Sequence, residues 1–157
     1  MVFILKPPQP LDFDTNCPSL FLAGSIEMGR AVHWQALFEQ ELSDLDVTIF
    51  NPRRDDWDAS WEQSLRNPNF RGQVEWELDA QEKADAIAMY FAPETHAPIT
   101  LLELGLFASS QKLIVCCPEG FWRKGNVEVV CLRYGVPTVE TLPELVAATR
   151  RRMLALL

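Results

Sequence analysis

Short, continuous apolar runs alternate along this chain with longer stretches of helical spacing. "SLFLAGS" (19–25), "VTIFN" (47–51), "AIAMYF" (86–91), "KLIVCC" (112–117) and "PTVE" (137–140) read as strands. Between them, "RAVHWQALFEQELSDL" (30–45) sets Val32, Ala36, Leu37 and Leu42 on one helical face. "QVEWELDAQEKAD" (73–85) contains no Gly or Pro, and "ITLLELGLFASS" (99–110) is apolar on nearly every side, as a helix turn in a packed interior would be. "NVEVVCLRYG" (126–135) ends on a glycine suited to a C-cap. Thr141 and Glu144 have capping-box spacing and open a last helix. Residues 1–18 lack periodicity and read as an N-terminal arm ahead of a single domain at 19–157.

Strands that are apolar throughout, alternating with helices, are the signature of a parallel sheet covered on both faces. The expected fold class is α/β, a doubly wound sandwich on a five-stranded parallel sheet. Ligands in such folds bind at the carboxyl ends of the strands. Those ends are "AGS" (23–25), "NPRR" (51–54), "FAPETHAP" (91–98) and "CPEGFWRKGN" (117–126). The aromatic, charged stretch 52–72 reads as a long loop, and a loop of that length in a small domain is functional or mobile.

Composition narrows the classes. A chain of 157 residues, 48% hydrophobic and 23% charged, can build one domain with a real core. A net charge of −8 argues against a nucleic acid polymer or an anionic membrane surface as partner, though not against a small anionic ligand. No apolar run approaches a membrane span, and the opening "MVFIL" is too short for a signal peptide. Cys17, Cys116, Cys117 and Cys131 form no CxxC pair, which suggests core thiols and a cytoplasmic location. His33 and His96 lack a third ligand, so no metal is expected.

Four segments carry candidate chemistry. "GSIEMGR" (24–30) is neither a P-loop nor a three-glycine dinucleotide fingerprint, but its turn is equally an ordinary one or an oxygen-binding one. Trp57 and Trp61 lie near two arginines, and their rings suit stacking on a flat heterocycle; a salt-bridged surface loop is the plainer alternative. Glu77 sits on a helix with Glu75, Asp79 and Glu82, where any one acid is ordinarily a solvated charge. Glu103 stands apart, because an ionised group is costly to bury in an apolar helix. Near a helix start the dipole favours its ionised form, and a carboxylate in an apolar wall at the sheet's carboxyl edge is a candidate nucleophile. The alternative is a buried acid satisfied by backbone amides.

"FLAGS" (21–25), "ADAIAMYF" (84–91) and "LLELGLFA" (101–108) occur in an order and spacing that resembles nucleoside 2-deoxyribosyltransferases. They are also similar to the related 2'-deoxynucleoside 5'-phosphate N-hydrolases, over roughly residues 19–135, and the "NPRRDDWD" loop looks like the deoxyribosyltransferase-like branch. The resemblance implies a flavodoxin-like fold and a cofactor-free enzyme of nucleoside salvage acting on nucleosides and free nucleobases. It makes Glu103, in the family's "ELG" motif, the nucleophile at the anomeric carbon. Counting eight residues back from Asp85 places the general acid at Glu77, where the family has Asp, with Asp79 as the neighbouring candidate about 200° away on a helix.

The same resemblance implies a homo-oligomer with shared active sites, in which Asn126 of a neighbouring subunit holds the sugar's 5' end. The acidic or hydroxyl residue usual six positions before the nucleophile is Ala97 here, with Thr95 or Thr100 as substitutes. Gly24 and Ser25 would border the sugar, Trp57 and Trp61 would clamp the base, and Ser25, Gly29 and Arg30 resemble the phosphate-holding turn of the N-hydrolases. The reading is a transferase that moves a (2-deoxy)ribosyl group between nucleobases through a covalent glutamyl-sugar intermediate. An N-glycoside hydrolase and a non-catalytic nucleotide-binding sensor are the alternatives.

Overall fold

The computed structural model describes residues 1–26, 33–54 and 56–157. Its strands are β1 (Phe3–Leu5), β2 (Ser19–Gly24), β3 (Thr48–Phe50), β4 (Ala86–Tyr90), β5 (Leu113–Cys116) and β6 (Thr138–Val139). Its helices are α1 (Gln35–Glu41), α2 (Pro68–Lys83), α3 (Pro98–Phe107), α4 (Lys124–Tyr134) and α5 (Leu142–Leu156).

The strands form one parallel sheet in the order β1-β3-β2-β4-β5-β6. Without β1 this is the flavodoxin-like order, and the direction of winding reverses between β2 and β4. The sheet therefore has six strands, not five. The extra strand comes from the arm: Phe3, Ile4 and Leu5 pair with Thr48, Ile49 and Phe50. Three residues are too few to show a period, so the strand exists through its neighbour. Leu11 and Phe13 then pack against the core, and Trp76 Nε1 donates to the Gln9 carbonyl at 2.8 Å, so the arm is part of the fold.

Strand alternation divides the core into two layers. Phe21, Ala23, Ile87, Met89, Leu113 and Val115 pack under Trp76, Leu104 and Val127 of α2, α3 and α4. Leu20, Leu22, Ile49, Ala88 and Ile114 face Phe38, Leu145 and Met153 of α1 and α5. On α1 the buried face is Trp34, Phe38 and Leu42, with Ala36 outward; Val32 lies outside the described residues.

Helix α2 begins five residues earlier than its lack of Gly and Pro suggested. Asn67 caps it, accepting from the amides of Asn69 and Phe70, and Pro68 takes the first helical position, where a missing N–H costs nothing. At the other end of the chain, Gly135 adopts φ 64° and closes α4, and the Thr141 hydroxyl accepts from the Glu144 amide to open α5. The apolar helix α3 is not wrapped by protein, since Ile99, Leu102 and Leu106 are exposed. Among the described residues, no helix is long and apolar enough to cross a membrane.

Candidate active site

The crevice outside β2 and β4 is built from backbone outward. Gly24 ends β2 where a Cβ would meet the Tyr90 carbonyl at 2.4 Å and the Trp34 ring at 2.6 Å. Only glycine fits there. Ser25 follows, buried, with its amide donating to the Tyr90 carbonyl at 3.1 Å. Its hydroxyl accepts from the Ala92 amide at 3.1 Å and lies 2.7 Å from the Thr95 hydroxyl, which donates to the Ala92 carbonyl at 2.8 Å. These bonds fix every proton of the ring: Ala92 N–H to Ser25, Ser25 to Thr95, Thr95 back to Ala92.

The turn they hold, 92–97, feeds α3. Glu94 and Ala97 have φ of 62° and 43°, a left-handed backbone that costs of order 1–3 kcal/mol at each non-glycine residue. On its far side the turn is held by Trp122, whose Nε1 donates to the His96 carbonyl at 2.9 Å. Thr95 is thus committed to the turn, and Thr100 is buried on α3.

Glu103 lies on α3, five residues past Pro98, with 6% of its surface exposed. That is beyond the first turn, where a helix dipole still helps an anion. Burial dominates instead and pushes the carboxyl up to about 8, with the nearby Glu77 charge acting in the same direction and the Gln81 side chain, within hydrogen-bonding reach, opposing it. Glu77, half-buried on α2, is itself raised to about 7 by burial, opposed by the 2.6 Å bond it accepts from Gln73 Nε2. Two carboxyls on different helices thus meet in one environment that resists a second charge. Burial favours the neutral form of both.

Asp79 does not join them. It is exposed on the other side of α2 and lines a groove of about 420 Å³ with Gln9, Asp12 and Trp76. The neighbouring hollow of about 380 Å³, around Asp85 and Ser19, lies at the amino ends of β2 and β4, away from the carboxyl pair. In the 51–67 loop, Trp57 and Trp61 meet edge to face at 5.1 Å, and the Arg54 guanidinium lies 4.9 Å over the Trp61 ring while pairing with Asp56. One face of the Trp61 ring therefore carries an arginine. Asn126 is exposed in the first turn of α4, behind Trp122, which is exposed while its neighbour Phe121 is buried. Gly29 and Arg30 lie outside the described residues.

Sequence reasoning missed Gln73 and Gln81. Both are buried on α2, four residues to either side of Glu77, and that spacing was the available signal.

Fold and site together define a flavodoxin-like α/β protein with a carboxyl pair on the helical layer beside the winding reversal. The model of the family described as nucleoside 2-deoxyribosyltransferase like matches residues 17–121, and the chain belongs to that family. The match includes Glu77 and Glu103 and stops short of Asn126. No curated protein matches the chain. Among solved structures, a conserved protein from Enterococcus faecalis V583 is similar at a TM-score of 0.60 and 10% identity, over 87% of this chain and 99% of that one. At that identity the likeness speaks for the fold.

Proposed function

We propose that the protein is a nucleoside deoxyribosyltransferase working by double displacement at C1'. The observation that carries this reading is the meeting of Glu103 and Glu77, each buried enough to be raised and close enough for one charge to act on the other. In the first step the Glu103 carboxylate attacks C1', the C1'–N bond breaks with its electron pair going to the base, and Glu77 delivers a proton to that base. In the second step an incoming base attacks C1', its proton passes to Glu77, and the ester bond breaks to restore the Glu103 carboxylate. This is the retaining scheme of glycoside chemistry, with the same group acting as acid and then base.

The reactive form has its single proton on Glu77. Attack proceeds from the form in which Glu103 is ionised. Gly24 and Ser25 border the sugar through their backbone, because the Ser25 proton is engaged with Thr95. Trp57, Trp61 and Arg54 form the wall offered to the base.

The same reading makes the protein a homo-oligomer in which Asn126 completes a neighbour's site. The exposed Ile99, Leu102 and Leu106 on α3 and Trp122 before α4 support it, since this apolar surface adjoins the helix bearing Asn126. Four unpaired cysteines agree with a reducing compartment.

The test is incubation of a deoxynucleoside with and without a second base, followed by liquid chromatography. Transfer yields a new nucleoside only when the second base is present. Free sugar released at the same rate in both would make the protein a hydrolase, and measurable binding without turnover would make it a sensor.

A further inference from the structure

The two glutamines of α2 have an arrangement that core packing alone does not require. Gln73 directs its Nε2 at two oxygens, the Pro52 carbonyl at 3.2 Å and the Glu77 carboxyl at 2.6 Å. Gln81, one turn beyond Glu77, directs its Nε2 at the Glu77 backbone carbonyl at 3.1 Å and stands against the Glu103 carboxyl. Both side chains are buried, at 6% and 0% exposure. In both, the amide oxygen is left without a hydrogen-bond partner.

That orphaning is informative. An unpaired buried acceptor costs about 1–3 kcal/mol, so an amide free to turn would not leave one. Here a turn would point the amide oxygen at the carbonyl and carboxyl oxygens that Nε2 now faces. The orientation is therefore enforced by the acceptors around each amide. We propose that Gln73 and Gln81 are positioning residues, each presenting N–H to one member of the carboxyl pair: Gln73 to Glu77, and Gln81 to Glu103.

The consequence is electrostatic. A carboxyl that receives N–H is favoured as the anion, so each glutamine opposes the burial that raises its partner. Gln81 brings Glu103 toward its attacking form. Gln73 fixes the orientation of Glu77 and ties it to the root of the 51–67 loop through Pro52. Among the described residues, the titratable group facing Glu103 is Glu77 on α2. The functional meaning rests on the transferase reading, but the arrangement can be tested without turnover.

Carbon-13 carboxyl titration by nuclear magnetic resonance, on protein with labelled glutamate, reads both groups directly. Glu77→Gln and Glu103→Gln assign the two signals. Gln81→Met keeps the volume and removes the donor; it should raise the proton affinity of Glu103 by about tenfold, more than that of Glu77. Gln73→Met should do the same to Glu77 more than to Glu103. If Gln81→Met does not fold, Gln81→Asn serves, with its amide one methylene short of its partners and the same rise expected. Folded variants with unmoved or equally moved midpoints would overturn the proposal and leave the glutamines as packing. Should wild type transfer no base while the midpoints still move, the transferase reading fails and the positioning role stands.

Discussion

The hydroxyls of Ser25 and Thr95 lie 2.7 Å apart and join the end of β2 to the turn that feeds the Glu103 helix. Ser25→Ala removes the acceptor of the Ala92 amide and the donor to Thr95. The variant should lose about 1–3 kcal/mol in chemical denaturation. Amide hydrogens of residues 92–97 should exchange faster while those of β5 keep their protection. Unchanged exchange in that turn would show that the ring of hydrogen bonds does not hold it.

One step back along β2, Gly24 marks where a side chain has no room. Gly24→Ala sets a Cβ against the Tyr90 carbonyl at 2.4 Å, a backbone atom that cannot swing aside. Overpacking of this kind costs about 1–3 kcal/mol or more. The variant should melt well below wild type; a melting temperature within a degree would mean that β2 and β4 can separate freely.

The raised carboxyls make stability depend on pH. A carboxyl held at about 8 in the fold, against an ordinary 4.5, favours folding in its neutral form. Its contribution is complete below 4.5 and fades as pH rises through the folded value, and Glu77 behaves likewise through about 7. Glu103→Gln, neutral at every pH, should therefore gain on wild type as pH goes from 5 to 9. A gain of roughly 1–3 kcal/mol is expected at the alkaline end. A stability difference independent of pH would mean that Glu103 is not raised.

Much of this architecture is legible in the chain because apolar strands covered on both faces leave continuous runs. The arm strand escaped because Phe3–Leu5 is defined by pairing with β3, not by a period. Helix α3 misled in the opposite way: residues apolar all round implied burial, yet Ile99, Leu102 and Leu106 face outward, which a single chain's pattern does not distinguish from core. Glu103 was visible as a charge in an apolar setting. The helix begins at Pro98, so the dipole is spent before Glu103 and burial decides instead. Gln73 and Gln81 were overlooked because glutamine on an acidic helix reads as solvent-facing, although their spacing about Glu77 was in view.

Sharing of the site between subunits predicts complementation. Glu103→Gln and Asn126→Ala proteins should each be inactive alone. Mixed and reassembled, they should recover part of the base exchange, since some sites receive an intact Glu103 from one chain and an intact Asn126 from the other. Mixtures no more active than the parents, with subunit exchange verified, would place Asn126 outside the neighbour's site.

The covalent step is open to direct observation by intact-protein mass spectrometry after incubation with a 2'-fluoro-2'-deoxynucleoside. Fluorine destabilises positive charge at C1' in both transition states, so the sugar ester should persist where water is excluded. The protein should gain the mass of one fluorinated sugar, and peptide mapping should place it on Glu103. Glu103→Ala should take no label and lose base exchange by about a thousandfold or more, with its fold kept by the surrounding leucines. A label on another residue, or exchange by Glu103→Ala at the wild-type rate, would contradict the account and leave Glu103 a buried acid with no part in the chemistry.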